Sequence, residues 1–173
     1  MKKSEHKIVV AFCQLLLEKQ LDDISIKDLL NKAQSSRSSF YNYFANKENL
    51  INSTIHIALD QINQVLNKNL LLRKPITIEM LDQISENRDI FFPLVTAFPD
   101  FETIIKEYIK DVVTHSSIQD LYEKLETNYQ MPSEFALNIY VKTIQEIIFT
   151  WIRKGFTEAP EEIADMIYQT VLI

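Results

Sequence analysis

The chain has 173 residues, of which 46% are hydrophobic and 24% charged, a composition typical of a globular protein with one long domain or two small ones. Gly155 is the only glycine, against an average of about 7%. Tight β-hairpins and phosphate-binding loops depend on glycine, so the composition argues against a hairpin-rich sheet and against a P-loop. It predicts an all-α fold.

The single cysteine, Cys13, excludes an intrachain disulfide, which suits a reducing compartment. The first residues are mostly charged, whereas a signal peptide would have an apolar run there. The sequence also contains no run of about 20 apolar residues that could span a membrane. We therefore expect a cytoplasmic protein.

Charge is distributed unevenly along the chain. The net charge is −6, yet residues 1–50 carry eight basic and six acidic residues, a balance of +2, and the remainder carries −8. A small basic head on an acidic body is the distribution expected of a protein with a DNA-binding module, although chance often produces such asymmetry.

The periodicity predicts a first helix from Ser4 to about Lys19. Residues 24–50 then indicate two short helices joined by a turn, the first capped by Ser25 and the second by Ser36. Phe40 and Phe44 lie four residues apart on the buried side of the second helix. Its remaining side chains are polar or cationic, on a rod of a size that enters a DNA major groove: Arg37, Ser38, Ser39, Tyr41, Asn42 and Tyr43.

Asn46 is predicted to cap a long helix that runs to about Leu71, roughly 37 Å at 1.5 Å per residue. After a break at residues 73–75, Thr77 is predicted to cap a helix that runs to about Asn87. Pro93 and Pro99 forbid one straight helix through the phenylalanine-rich segment 90–101.

The helical pattern resumes from Phe101 to about Thr114 and then, after a bend, continues to Tyr129. Ser133 is predicted to cap a helix over residues 134–154, and Gly155 to take the left-handed conformation at its end. Pro160 opens the last helix, which brings the total to about nine.

Motifs for enzymatic chemistry are missing from the sequence. The three histidines, His6, His56 and His115, are scattered, and no metal-ligand spacing or nucleophile motif is present. We predict a protein that is not an enzyme and has no metal or cofactor.

Residues 24–50 resemble the helix-turn-helix of TetR-type bacterial transcriptional regulators, in which the second helix typically reads A-G-V-S-x-x-T-(L/F)-Y-x-(H/Y)-F-x-(S/N/D)-K-x-x-L. The corresponding stretch here is AQSSRSSFYNYFANKENL, residues 33–50. The departures are Gln34 in place of the turn glycine and Ser35 in place of an apolar residue. A residue other than glycine in a left-handed turn costs on the order of 1 kcal/mol.

The resemblance implies two sets of DNA contacts. Residues expected to meet phosphates are Ser25, Lys27, Ser36, Tyr43 and Lys47, and residues expected to face the major groove are Arg37, Ser39, Tyr41 and Asn42. Lys2, Lys3 and Lys7 either add backbone contacts or form a solvated tail.

The resemblance further implies a helix-turn-helix DNA-binding domain over 1–50 and a helical effector-binding and dimerisation domain over 51–173. Such proteins act as homodimers on palindromic operators, as repressors or activators, under the control of a small molecule or a protein partner. Residues 134–154 and 160–173 have the apolar breadth for the dimer interface, although burial within one subunit would give the same pattern.

Two C-terminal segments, 86–92 and 149–163, look like the subset of the family that includes activators of dihydroxyacetone kinase operons. The alternative function is a relative that no longer reads DNA and acts as a protein-interaction module.

An effector pocket is a further expectation. Aromatic residues of the C-terminal part could line it, with His115 as a polar contact, or could equally form ordinary core: Phe91, Phe92, Phe98, Phe101, Tyr108, Tyr122 and Trp151.

Overall fold

The computed structural model describes residues 2–66, 74–116 and 118–171, and in these ranges it contains ten α-helices and no strand. The all-α prediction is confirmed, with one helix more than the approximate number expected. The helices are α1 Lys3–Leu16, α2 Ile26–Ala33, α3 Arg37–Tyr41, α4 Lys47–Leu66, α5 Lys74–Glu86, α6 Arg88–Ala97, α7 Asp100–Thr114, α8 Leu121–Tyr129, α9 Ser133–Arg153 and α10 Pro160–Thr170.

The first three helices enclose a small apolar core to which Phe12, Phe40 and Phe44 contribute fully buried rings. Ion pairs from Lys19 to Asp28 (3.0 Å) and from Lys32 to Glu18 (2.5 Å) join α2 to the segment that follows α1. α1 also packs along α6, so the N-terminal helices rest directly on the C-terminal part.

Three predicted caps are confirmed by their hydrogen bonds. The Ser25 hydroxyl accepts from the Asp28 amide (3.2 Å), the Ser36 hydroxyl accepts from the Ser39 amide (3.1 Å), and the Asn46 side-chain oxygen accepts from the Asn49 amide (2.8 Å). Each cap satisfies an N–H group that the first turn of a helix leaves unpaired.

Several predicted boundaries were wrong. α1 ends at Leu16 rather than near Lys19, and α5 begins at Lys74 rather than after Thr77, with Pro75 tolerated in its first turn. Ser133 is the first residue of α9 instead of its cap. α4 is described as far as Leu66, about 30 Å; its predicted end at Leu71 lies outside the described residues.

The C-terminal helices are joined by polar contacts as well as by apolar packing. Gln145 of α9 is fully buried, and its side-chain amide donates to the Glu102 carbonyl of α7 at 2.5 Å. Lys142 forms an ion pair with the Glu102 carboxylate, and this hydrogen bond holds the pKa of Glu102 below its usual value. Lys74 and Asp165 join α5 to α10 in a similar way.

The end of α9 follows the prediction for Gly155, which has a φ of +80°. The amide of the next residue, Phe156, donates to the Trp151 carbonyl at 3.0 Å and so closes the helix end. The Trp151 indole donates to the Glu158 carbonyl at 2.9 Å, which directs the chain towards α10. None of the helices in the described ranges has the length and apolar character needed to cross a bilayer.

Candidate nucleic-acid interface and ligand cavity

The turn between α2 and α3 forms in spite of its missing glycine. Gln34 adopts the left-handed conformation, with φ 49° and ψ 49°, and its side chain is exposed. The Ser35 amide donates to the Leu30 carbonyl at 2.9 Å, and the Gln34 amide donates to the Asn31 carbonyl at 3.3 Å. A helix that ends in glycine makes the same two hydrogen bonds. The presence of Gln34 in place of glycine therefore leaves the geometry of the turn intact.

α3 presents a polar outer face because Phe40 anchors its inner face in the core. Arg37 and Asn42 are exposed, and the ring of Tyr41 is 52% exposed while its edge contacts Phe40 at 5.3 Å between centroids. Ser39 is half-buried, with its amide held by the Ser36 cap. The structure therefore brings together the four residues expected to face the groove.

The residues expected to meet phosphates differ in their surroundings. Lys27 and Ser36 are exposed, whereas Tyr43 is half-buried against Phe44. The Ser25 hydroxyl donates to the Asp28 carboxylate at 2.6 Å, and this bond, together with the Ser25 amide and Lys19, lowers the pKa of Asp28. Ser25 thus remains accessible but already serves as a cap.

Lys47 has an internal partner that the sequence did not indicate. Its ammonium donates to the Leu21 carbonyl at 3.0 Å in a half-buried position, which fastens the first turn of α4 to the segment before α2. Leu21 is 26 residues away, and a backbone carbonyl leaves no signature in a sequence. By contrast, Arg37 and Lys27 form no ion pair with any residue that the structure describes.

A cavity of about 500 Å³ lies among the C-terminal helices, within the size range of ligand sites. Its walls come from α4 to α10 and are mostly branched aliphatic. They include Ile62 and Leu66 of α4, so the helix that follows α3 also borders the cavity.

Only part of the predicted pocket set lines this cavity: Phe91, Phe101 and Tyr108 do. Of the others, Phe98 and Trp151 are buried in the core and Phe92 is half-buried, none of them on the cavity wall. His115, expected as the polar contact, is an exposed residue beside Asp111, and Tyr122 is 52% exposed. Aromatic spacing alone does not distinguish a cavity wall from solid core, because the difference depends on how helices distant in sequence pack.

The polar contacts of the cavity come from Tyr108, which belongs to the predicted set, and from residues that the sequence did not single out. The Tyr108 hydroxyl donates to the Asn63 side chain of α4 at 2.7 Å, and burial, with Asp111 and Asp60 nearby, raises the pKa of Tyr108 to about 12. Lys124 and Gln119 stand at an exposed edge. In the parts of the chain that the structure describes, no three His, Cys, Asp or Glu side chains are grouped as a metal ion would require.

The outer side of α9 and α10 carries apolar side chains in solvent. Phe135 is 63% exposed and Ile139, one turn later, is 43% exposed; Met166 on α10 is 44% exposed. Phe135 and Ile139 lie on one face of α9, and neighbouring exposed apolar residues of this kind are a common mark of an interface.

Comparisons with known proteins agree with this architecture. A family profile of the TetR type, described as a transcriptional regulator C-terminal region, matches residues 73–172. A search of curated proteins gave no match.

Three solved structures align over nearly the whole chain. A TetR transcriptional regulator from Streptococcus agalactiae has a TM-score of 0.67 at 19% identity, covering 99% of this chain and 94% of that one. The dihydroxyacetone kinase operon activator DhaS has a TM-score of 0.63 at 20% identity, with 98% and 94% coverage. The fatty acid degradation regulator FadR from Bacillus halodurans has a TM-score of 0.62 at 12% identity, with 99% and 95% coverage. At these identities the likeness concerns the fold.

Proposed function

The chain belongs to the TetR family of transcriptional regulators, and from this premise we propose that it binds operator DNA as a homodimer and represses or activates transcription under the control of a ligand. We divide it into a DNA-binding domain, residues 1–50, and a helical domain for effector binding and dimerisation, residues 51–173. We place its action in the cytoplasm, where its DNA would be.

The exposed face of α3 is the observation that carries the proposal. Arg37, Tyr41 and Asn42 project from a short rod that Phe40 anchors from behind. An arginine can bond bidentately to guanine, and an asparagine can do so to adenine. Ser39 completes the base-facing set, while Ser25, Lys27, Ser36 and Tyr43 would hold the backbone on either side.

The dimer would form through the outer side of α9 and α10, residues 134–154 and 160–173. Two heads on a palindromic operator would occupy half-sites about 34–36 Å apart, one helical turn. A ligand in the cavity would act on head spacing through α4, because Ile62 and Leu66 border the cavity and Lys47 fastens the other end of the same helix to the head.

The protein-interaction alternative depends on Gln34 and Ser35 in the turn and on the acidic charge of the chain after residue 50. Since both turn hydrogen bonds are made, the turn gives no reason to prefer it.

Genomic DNA fragments that the purified protein retains would be sequenced to find the operator sequence that they share. This operator would then be used in gel-shift titrations. We expect Arg37→Ala and Tyr41→Ala each to weaken operator binding about tenfold or more, because each removes a base-edge contact. Tyr122→Ala is the matched control, since Tyr122 and Tyr41 are both 52% exposed but Tyr122 lies on α8. Binding should also fall steeply with added salt. Equal affinities for all variants would overturn the proposal.

A further inference from the structure

The residues that line the cavity spread over several turns of two long helices. The cavity follows α7 from Phe101 to Val113 and α9 from Tyr140 to Ile152, a length of about 18 Å along each helix at 1.5 Å per residue. A volume of about 500 Å³ spread evenly over that length would have a mean cross-section on the order of 30 Å², a size that suits one hydrocarbon chain better than a fused ring system.

The two ends of the cavity differ. At one end the rings of Phe101 and Phe149 stack, 6.4 Å apart and nearly parallel, and these residues and Ile152 are almost completely buried. At the other end Gln119 and Lys124 are exposed. Tyr168 of α10 also lines the cavity and is 42% exposed, but among the described lining residues only Lys124 offers a charge to the polar end of a ligand. A ligand entering beside Lys124 would direct its leading end towards the phenylalanines.

The walls offer hydrocarbon and few free polar groups. The Tyr108 hydroxyl is engaged by Asn63, and the Thr77 and Tyr168 hydroxyls lie 3.3 Å apart across α5 and α10. Of the lining residues that the structure describes, Lys124 alone carries a formal charge, and it forms no ion pair with another described residue.

We propose that this cavity binds a straight-chain carboxylate of about 12 carbons, with the tail against Phe101 and Phe149 and the carboxylate beside Lys124. The length is consistent with the volume: at about 30 Å³ per methylene group, similar to a water molecule, a chain of 12 carbons takes about 360 Å³ of the roughly 500 Å³ and leaves room for the carboxylate. The assignment of this ligand as the effector rests on the proposed function, but its binding can be measured without DNA.

The first test is calorimetric titration of the full chain with n-alkanoates of 4 to 16 carbons, each below its micelle concentration. We expect one molecule per chain and an affinity that rises about fourfold per added methylene up to roughly 12 carbons and then levels off. Absence of binding, or an affinity that does not depend on chain length, would overturn the proposal. Operator binding measured on the same preparation separates this failure from failure of the proposed function.

The second test reverses the charge at the mouth of the cavity. Lys124→Glu should weaken dodecanoate binding about fivefold, strengthen dodecylammonium binding and leave dodecanol unchanged, as expected for an exposed charge pair. Lys106→Glu is the control, because Lys106 lies on α7 but does not line the cavity. An equal effect of both substitutions on dodecanoate would show attraction by the overall charge and contradict the placement of the carboxylate.

The third test fills the cavity. Ile144→Trp should abolish dodecanoate binding while the helical circular dichroism spectrum is kept. Leu17→Trp, at an exposed position on the head, is the control and should bind as the wild type does. Full-affinity binding to a folded Ile144→Trp variant would place the ligand elsewhere.

Discussion

Gln34 holds the left-handed position at the end of α2 with a φ of 49°, and it does so without the freedom of a glycine. A side chain at such a position crowds the following carbonyl, which costs roughly 1–2 kcal/mol per residue. The two turn hydrogen bonds are nevertheless made. The strain at Gln34 therefore lowers the free energy of unfolding without changing the geometry of the turn.

Replacing this residue should make the protein more stable. We expect Gln34→Gly to raise the free energy of unfolding by about 0.5–1 kcal/mol, since the strain is removed while glycine adds some entropy to the unfolded chain. Urea unfolding followed by circular dichroism measures this change. Gln20→Gly is the control: Gln20 has an unstrained negative φ of −61°, so only loss of stability is expected there. A Gln34→Gly variant no more stable than the wild type would contradict the strain argument.

At the residue scale, the sequence predicts contacts between neighbours and misses contacts between distant positions. The sequence predicts Ser25, Ser36 and Asn46 as caps, because each side chain and the amide that it bonds are only three residues apart. The hydrogen bonds of the Lys47 and Gln145 side chains are not predictable in this way, because their partners are backbone carbonyls 26 and 43 residues away. Any residue offers such a carbonyl, so only the packed fold identifies the right one.

At the scale of elements, α4 links the two ends of the molecule. Its first residue, Lys47, bonds the head, while Asn63 near its other end accepts a hydrogen bond from Tyr108 of α7. The bond between Asn63 and Tyr108 thus fixes α4 against the cavity wall.

Removing that hydroxyl should loosen the cavity end of α4. We expect Tyr108→Phe to speed hydrogen exchange about fivefold for amides near residues 60–66, corresponding to the loss of one hydrogen bond of about 1 kcal/mol. Operator affinity without ligand should stay the same, because α3 is untouched. Tyr122→Phe is the control, since Tyr122 is exposed on α8. Unchanged exchange in Tyr108→Phe would mean that the bond does not hold α4.

In segment 90–101 the sequence predicts that the helix is interrupted but not which proline interrupts it. The prolines were expected to divide it, and the chain does break between α6 and α7 at residues 98–99. Pro93, however, is accommodated inside α6. Which of the segment's phenylalanines line the cavity depends on how α6 and α7 pack against helices distant in sequence, and helical periodicity carries no information about that packing.

At the scale of the whole molecule, the proposed dimer can be tested at Phe135. Phe135→Glu should shift the protein from dimer to monomer in sedimentation velocity experiments, because it places an unpaired charge in the apolar surface of the proposed interface of each subunit. It should also weaken operator binding, since the two half-sites would no longer be bound by one particle.

The control for this variant is Tyr122→Glu, which introduces the same charge at another exposed aromatic position, on α8. It should sediment as the wild type does. A Phe135→Glu variant that remains dimeric would move the interface away from the outer side of α9 and α10.

The environment of Cys13 has a practical consequence for following such a protein in solution. The thiol is completely buried in α1, and burial raises its pKa to about 12. Because the thiolate is the reactive form, maleimide reagents should leave this position unmodified in the folded state. A cysteine introduced at exposed Ser38 on α3 would then be the one labelled site in each chain, and electron spin resonance between two labels would report the spacing of the heads directly.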